Sequence, residues 1–275
     1  MSFNIKTNNT IKTTTEASDI SNPNLLINPN FAINQRAGGS YIVGSLSEYT
    51  VDRWKLWNGT LIRNDDGTIT VKSSTNCSVV QILEDECTEE CCASIYVTKI
   101  SGYWTLYTES DNIYDGSIDL KEGLNTVKFT GCKTFAIGSR GKNNDSITIK
   151  YAKLEKGTNV TQFIEPNPAT ELLKCQRYYI KYHQVTFIPG TLYVANLSQS
   201  AGAYTPLTKH LPIKMRVDPT TKCSSMTANN WSNVGVSFSL DATSTEIKYI
   251  ILNNNVTTNY YLIFINDLEL NAEIY

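Results

Sequence analysis

Residues 24–36 read NLLINPNFAINQR, and after a Gly-Gly turn residues 49–54 read YTVDRW. Much later in the chain, residues 151–157 read YAKLEKG and residues 161–166 read TQFIEP. Apolar and polar side chains alternate from Leu25 onwards, which is the period expected of half-buried β-strands. We therefore expect these two regions to form the first and last strands of one β-sandwich.

Short strand patterns fill the chain between the two regions. Asp66 and Gly67 predict a hairpin turn into residues 68–72, where Ile69 and Val71 should share one face. Residues 84–92, EDECTEECC, are predicted to form an acidic loop. Other alternating segments follow at near-regular spacing, separated by Gly, Asn and Asp. This pattern is typical of a sandwich or jelly roll.

The pattern divides the chain into four predicted parts. Residues 1–23 are too polar to fold alone and predict an extended N-terminal arm. Residues 24–166 predict a β-sandwich or jelly-roll domain, and residues 167–182 a helical connector. Residues 183–275 alternate again and predict a second β-sandwich. The predicted fold class is all-β, with two β-sandwich or jelly-roll domains joined by a short helical connector.

The connector carries a helix-start signal. Asn167 is a favoured N-cap residue, and Pro168 suits the first helical position. Four residues then recur at heptad-like spacing: Leu172, Cys175, Tyr179 and Tyr182. Such a short run is not stable as an isolated helix. Two interpretations stay open, association about a threefold axis or packing on a sheet.

Composition excludes several classes of function. The formal net charge is −2 and no basic cluster is present, which argues against a nucleic-acid partner. No apolar run is long enough for membrane insertion. Residues 1–15 lack the apolar core of a signal peptide. Together with the odd count of seven cysteines, this predicts reduced thiols in a chain made in the cytoplasm.

The residues that could take part in catalysis or metal binding are better explained by structural roles. The run Asp52-Arg53-Trp54 predicts an ion pair beside a core tryptophan rather than a catalytic site. The spacing of the cysteines between Cys77 and Cys92 is a poor match to a zinc site. No nucleophile elbow, zincin helix or phosphate loop is present. We therefore predict no metal, no cofactor and no catalytic activity. A carboxylate pair for glycoside hydrolysis would depend on a separation that no sequence reveals.

Aromatic residues beside amides are the stronger candidates for a ligand site, because rings stack on sugar faces and amides bond sugar hydroxyls. The run Asn229-Asn230-Trp231 follows a Ser/Thr-rich stretch, which predicts that it lies in a loop. The alternative for Trp231 is a ring that caps the edge of the sandwich. The candidate glycan-binding residues are Trp231, Asn229, Asn230, Tyr204, Trp57 and Trp104.

The opening and closing segments together resemble a module of bacteriophage and prophage tail fibres and receptor-binding proteins. Three later motifs follow in the order found in that family: ELLKCQRYY at residues 171–179, LPIKMRVDPT at 211–220 and LNAEI at 270–274. The resemblance therefore covers residues 24–275. It implies β-sandwich modules of the kind that bind carbohydrate.

The resemblance also implies a function. A protein of this family would attach to a host cell-surface glycan, assemble as a homotrimer and contact other tail proteins through its N-terminal arm. It would be made in the bacterial host cytoplasm and reside in the virion tail, with the receptor contact in residues 183–275, near Trp231. The alternatives are a structural virion component without glycan specificity and a tail-associated glycan depolymerase. A module of a bacterial surface protein is disfavoured by the missing signal peptide.

Overall fold

The computed structural model describes residues 21–110, 113–140, 144–187, 203–229, 237–253 and 262–274. Its strands are β1 (Ser40–Val43), β2 (Glu48–Tyr49), β3 (Lys55–Arg63), β4 (Ile69–Ser101), β5 (Thr105–Ser110), β6 (Ile113–Asp119), β7 (Gly123–Ser139), β8 (Ser146–Lys156), β9 (Tyr179–Phe187), β10 (Ala203–His210), β11 (Thr220–Lys222), β12 (Ser225–Asn229), β13 (Ser237–Ala242), β14 (Glu246–Asn253) and β15 (Leu262–Asn271). Within these described residues, the helix α1 spans Pro168–Gln176. The predicted all-β fold class is confirmed.

The opening segment, residues 24–36, packs against the closing strand β8 but is not itself a strand. The amide of Leu25 donates to the carbonyl of Leu154 at 2.8 Å. The prediction that the two regions lie together is therefore confirmed, whereas the predicted first strand is wrong. Asn28 and Phe31 have φ angles of 57° and 58°, and this left-handed backbone interrupts a pleated strand.

β1 to β8 form an eight-stranded sheet that divides into two half-sheets, because β3, β4 and β7 each contribute to both. The first half-sheet contains β1, β8, residues 59–63 of β3, residues 69–73 and 91–101 of β4, and residues 123–130 of β7. The second half-sheet contains β2, β5, β6, residues 55–57 of β3, residues 77–82 of β4 and residues 134–139 of β7.

The half-sheets join at a corner, where β4 and β7 bend. The register of β4 shifts between Ile82 and Cys87 and again between Cys87 and Glu90, as it does where bulges bend a strand. Opposite them, Gly131 has a φ of 103°, which glycine adopts at little cost. Residues 84–92 therefore lie within β4, and the predicted acidic loop is wrong. Their charged side chains lie on a bent stretch of β4, in which Cys87 is paired with β7 and regular pairing resumes at Glu90.

One apolar core lies between the half-sheets. Ile69 and Ile147 of the first half-sheet and Phe135 and Ile137 of the second belong to the same buried cluster. The two half-sheets therefore pack face to face as a sandwich. Trp54 is fully buried in this core, as predicted from its place beside the charged pair.

The helix α1 begins where the sequence predicts. The side chain of Asn167 accepts hydrogen bonds from the amides of Ala169 and Thr170 at 3.0 and 3.2 Å. Pro168 occupies the first turn, where its missing N–H costs no hydrogen bond. The predicted N-cap is therefore confirmed.

The predicted helical seam is not present. Leu172 and Cys175 lie on α1, but the helix ends at Gln176, and Tyr179 and Tyr182 lie in strand β9. Cys175 and Tyr179 are buried within the chain itself. The heptad-like spacing therefore does not define one face of a helix. Two of the four residues lie in a strand, where successive side chains point to alternate faces. The predicted connector spans residues 167–182. Its second half consists mainly of the start of β9.

The described C-terminal strands form two further sheets. β10, β14 and β13 make a three-stranded sheet, and β15 pairs with β9, β11 and β12 in a four-stranded one. Since β9 follows α1 directly, the second of these sheets begins in the predicted connector. The division at residue 183 stays a prediction.

Residues 1–20 of the predicted N-terminal arm lie outside the described residues. The next three residues, 21–23, lie against the segment that follows β8. The amide of Asn22 donates to the Thr161 hydroxyl at 3.1 Å, and the Ser21 hydroxyl donates to the carbonyl of Gln162 at 2.9 Å. The end of the predicted arm is therefore attached to the sandwich.

Candidate functional site

A buried charged network joins the opening segment to the end of the chain. It consists of Arg36, Asp52, Arg53 and Glu273. Arg53 lies 2.5 Å from one oxygen of Glu273, and Arg36 lies 3.2 Å from the other and 3.0 Å from Asp52. Asp52 therefore pairs with Arg36 rather than with the adjacent Arg53. Such charges are tolerated in a protein interior only when they are paired.

Two tyrosines that follow α1 cover the arginines of the network. The guanidinium of Arg36 lies 3.7 Å from the ring centre of Tyr179, and that of Arg53 lies 3.7 Å from the ring centre of Tyr178. Stacking of this kind favours arginine over lysine. Arg53 also donates to the carbonyl of Ile82 at 2.6 Å, which ties β4 to the network.

The last residues of the chain are held beside the same network. Arg216 donates to the carbonyls of Ala272 and Glu273 at 2.9 and 3.1 Å, and the Tyr49 hydroxyl donates to the carbonyl of Ile274. Residues from the opening segment, YTVDRW, ELLKCQRYY, LPIKMRVDPT and LNAEI thus meet at one place. These motifs share a structural role in this chain.

Burial also alters the acid–base behaviour of the network. It raises the pKa of Asp52 from its ordinary value of 3.8 to about 6, against the opposing effects of Arg36 and the amide of Gln35. The side chains of Asp52, Arg53 and Glu273 are almost inaccessible to solvent. The network therefore has a structural role, in which it holds the opening segment against the end of the chain, and it is not a ligand site.

The outer face of the second half-sheet is a better candidate for ligand contact. Two cross-strand rows run over it. The first row contains Trp57, Ser78, Gly138, Thr105 and Asp119. The second contains Lys55, Val80, Ala136, Tyr107 and Ser117. Side chains directly opposite one another in a sheet share a face, so each row is one continuous strip. We call these two rows the outer strip.

Trp57 and Tyr107 stand on either side of a floor of small residues. Trp57 is 38% exposed, and its indole N–H donates to the carbonyl of Ser45 at 2.8 Å, which fixes the ring. A Cβ built on Gly138 would lie 2.9 Å from the ring of Tyr107, so this ring lies across the glycine. Ser78 and Ala136 continue the small floor towards Trp57.

The far end of the outer strip is polar. The Tyr103 hydroxyl donates to a carboxylate oxygen of Asp119 at 2.6 Å, which orients that carboxylate at the edge of the sheet. Ser117 is exposed beside it, and Thr105 is partly exposed. The strip therefore combines a fixed ring with hydroxyl and carboxylate groups, which are partners for a polyhydroxylated ligand.

The two candidate tryptophans of the first domain have opposite environments. Trp104 is 1% exposed in the core, and its indole N–H donates to the carbonyl of Ser101. No ring face of Trp104 is available to a sugar, so the structure removes it from the candidate set. Trp57 keeps an accessible ring on the outer strip.

The C-terminal candidates are not brought together with Trp57 by any described contact. Tyr204 lies in β10, opposite Leu252 of β14. Asn229 is the last residue of β12, rather than part of a loop as predicted. Asn230 and Trp231 lie outside the described residues. A site at these positions stays a prediction.

Sequence reasoning missed the small residues of the outer strip. Ser78, Ala136 and Gly138 carry no distinctive chemistry, and their proximity depends on the register between distant strands. One local signal was present, since a glycine inside a strand often marks a close approach of another group. Gly138 is such a residue.

A cleft of about 350 Å³ lies beside the corner of the sandwich. Its walls include Leu25, Leu83 and Tyr178, and Cys87 also borders it. Arg53 reaches the cleft, and its buried Nε has no hydrogen-bond partner. Residues 83–87 of β4, where the strand bends, thus line the cleft.

In the described part of the chain, no group of three or more His, Cys, Asp or Glu residues is arranged to hold a metal ion. None of its helices has the length and apolar character needed to cross a membrane.

No protein-family model matches the chain. It also matches no curated protein sequence. A variant of a family 29 carbohydrate-binding module is 11% identical, and the match covers 47% of this chain and 100% of that one, with a TM-score of 0.30. A family 11 carbohydrate-binding module from Clostridium thermocellum is 11% identical over 46% of this chain and 96% of that one, with a TM-score of 0.25. Discoidin II from Dictyostelium discoideum is 12% identical over 76% and 83%, with a TM-score of 0.21.

The charged network predicts a large effect of one neutralisation. We expect Glu273→Gln to lower the free energy of unfolding by about 3–5 kcal/mol, because it leaves a buried guanidinium without its counter-charge. The matched control is Glu89→Gln, whose pair with Lys156 is exposed and should matter far less. Urea unfolding of both variants measures the difference. Equal effects would contradict a structural role for the network.

The raised pKa of Asp52 predicts a pH dependence. Between pH 3.8 and about 6 the folded chain binds more protons at this site than the unfolded chain, so stability falls as pH rises. Asp52→Asn lacks this effect. The stability difference between the natural protein and the variant should therefore be larger at about pH 4 than at about pH 7 in urea unfolding. A difference that grows with pH would mean that Arg36 lowers the pKa instead.

Proposed function

We propose that this chain is a non-catalytic glycan-binding protein and that the outer strip contacts the sugar. The observation that carries the proposal is the fixed, exposed ring of Trp57 beside a floor of small residues. A sugar ring has apolar C–H faces and polar edges. It therefore needs a flat aromatic surface together with hydrogen-bonding groups around it.

The dimensions of the outer strip suit an extended ligand. Trp57 and Asp119 lie on strands four steps apart in the sheet, which is about 19 Å at the usual strand spacing. The ring of Tyr107 lies across Gly138, so a ligand that extends from Trp57 to Asp119 would pass over this second ring. The hydroxyls of Ser78 and Thr105 lie along the same row. An oligosaccharide chain could follow this row from the ring to the carboxylate.

We further propose that the protein belongs to a bacteriophage tail and attaches to a host cell-surface glycan. The motif resemblance over residues 24–275 supports this, and so does the meeting of those motifs at the charged network. In this proposal, the N-terminal arm contacts other tail proteins, the chain is a homotrimer, and it resides in the virion tail after synthesis in the host cytoplasm.

Binding by the outer strip predicts a selective loss in one variant. Trp57→Ala should weaken glycan binding by about 1–3 kcal/mol, or about fivefold to 150-fold, by analogy with stacked bases. The fold should persist because the ring lies at the surface. Tyr96→Ala is the matched control, since Tyr96 is 37% exposed on the other half-sheet. The measurement is a glycan array of host-surface oligosaccharides, followed by titration of the best ligand and a thermal melt.

The outcomes of that experiment separate the alternatives. Unchanged binding by Trp57→Ala together with loss of binding by Trp231→Ala would assign the contact to the C-terminal region. Release of reducing sugar would indicate a depolymerase. An array without any bound glycan would contradict the proposed function and favour a structural component.

The proposed assembly state has its own test. Light scattering of the full chain at micromolar concentration should report three times the monomer mass of 30.7 kDa. A monomer mass would contradict the trimer while leaving the glycan proposal intact.

A further inference from the structure

Two cysteines face each other across the corner of the sandwich. Cys87 of β4 and Cys132 of β7 are direct partners in the antiparallel register, between the two register shifts that bend β4. Both side chains belong to the buried core cluster, with 4% and 0% exposed. Opposed residues that share the core side of a sheet point in the same direction.

This geometry meets the main requirement for a disulfide. Directly opposed residues of antiparallel strands have Cα atoms about 4.5–5.5 Å apart. Disulfides bridge Cα atoms about 4.4–6.8 Å apart. The bends on either side of Cys87 leave the backbone locally free of regular pairing, so small adjustments do not break a continuous ladder.

We propose that Cys87 and Cys132 form an oxidisable dithiol, which closes to a cross-strand disulfide when a small oxidant enters the cleft at the corner. All seven cysteines are free in the structure. The proposal does not depend on the proposed glycan function.

The chemistry requires access for an oxidant and a balanced reaction. Cys87 is one of the residues that line the cleft of about 350 Å³, and we infer that the oxidant approaches from this side. With an azo oxidant such as diamide, the Cys87 sulfur adds to the N=N bond. The Cys132 sulfur then displaces the reduced nitrogen group. One S–S bond forms, two S–H bonds are lost, and the two hydrogens end on the hydrazine product.

A third thiol lies close but is a poorer partner. Cys91 donates to the carbonyl of Gly131 at 3.8 Å, and burial raises the pKa of its thiol to about 12, with a smaller contribution from Cys87. Cys132 lies across the corner from Cys87, whereas Cys91 lies on the same strand. Of these two possible bonds of Cys87, only the bond to Cys132 would join β4 to β7 covalently.

The disulfide would constrain the part of the sandwich where strands pass from one half-sheet to the other. A covalent link restricts the unfolded chain and stabilises the fold when it fits the native geometry. We therefore expect oxidation to raise the midpoint of thermal unfolding, and a reductant to reverse the increase.

The test is oxidation of the native full chain with diamide. A thiol reagent applied after denaturation should find seven thiols before treatment and two fewer afterwards. Peptide mapping without reductant should identify a Cys87–Cys132 link. No loss of thiols, or a Cys87–Cys91 link, would overturn the proposal.

Three variants sharpen the result. Cys87→Ser and Cys132→Ala should each keep all of their remaining thiols under the same treatment. The control is Cys175→Ala, because Cys175 is buried on α1 and should not take part. This variant should still lose two thiols. If either corner variant fails to fold, the peptide map of the natural protein decides alone. Thiol loss in both corner variants would overturn the assignment.

Discussion

The buried ion pair between Arg53 and Glu273 connects residues 220 positions apart in the chain. Arg53 follows the opening segment, whereas Glu273 lies at the end of the C-terminal strands. Neither charge would be stable in the interior alone, because desolvation of an unpaired ion is costly. The opening segment, the residues after α1 and the end of the chain must therefore come together for any of them to be buried. Arg36 extends this dependence to Asp52.

The network leaves the outer surface of the sandwich free for another role. Trp54 and Trp57 are close in sequence, but one fills the core and the other lies on the outer strip. Trp54 precedes β3 and is buried, whereas Trp57 lies in β3 on the face opposite the core residue Leu56, because successive side chains of a strand point to opposite faces. The strand that supplies a ring to the outer strip thus begins beside the core tryptophan and the charged network. A rigid support of this kind is what a binding surface requires.

Local features of the sequence predicted local structure well. The N-cap at Asn167 and the buried face of Ile69 and Val71 follow from neighbouring residues alone. Features set by distant contacts could not be predicted in this way. Trp57 and Trp104 carry the same side chain. Whether each ring lies at the surface or in the core depends on strand register and burial, which neighbouring residues do not reveal. The bend of β4 at residues 84–92 likewise depends on β7, so composition alone suggested a loop.

A double-mutant cycle on Arg53 and Glu273 tests the central claim most directly. Arg53→Met and Glu273→Met would be measured singly and together by urea unfolding. Glu273→Met leaves the buried Arg53 without its counter-charge, and Arg53→Met leaves Glu273 with Arg36 as its remaining partner. The double change removes both charges, so the two effects should be non-additive. The account predicts a coupling energy of about 2 kcal/mol or more, with the double variant less destabilised than the sum of the single variants. Additivity within about 0.5 kcal/mol would contradict the claim that this pair holds the two ends of the chain together.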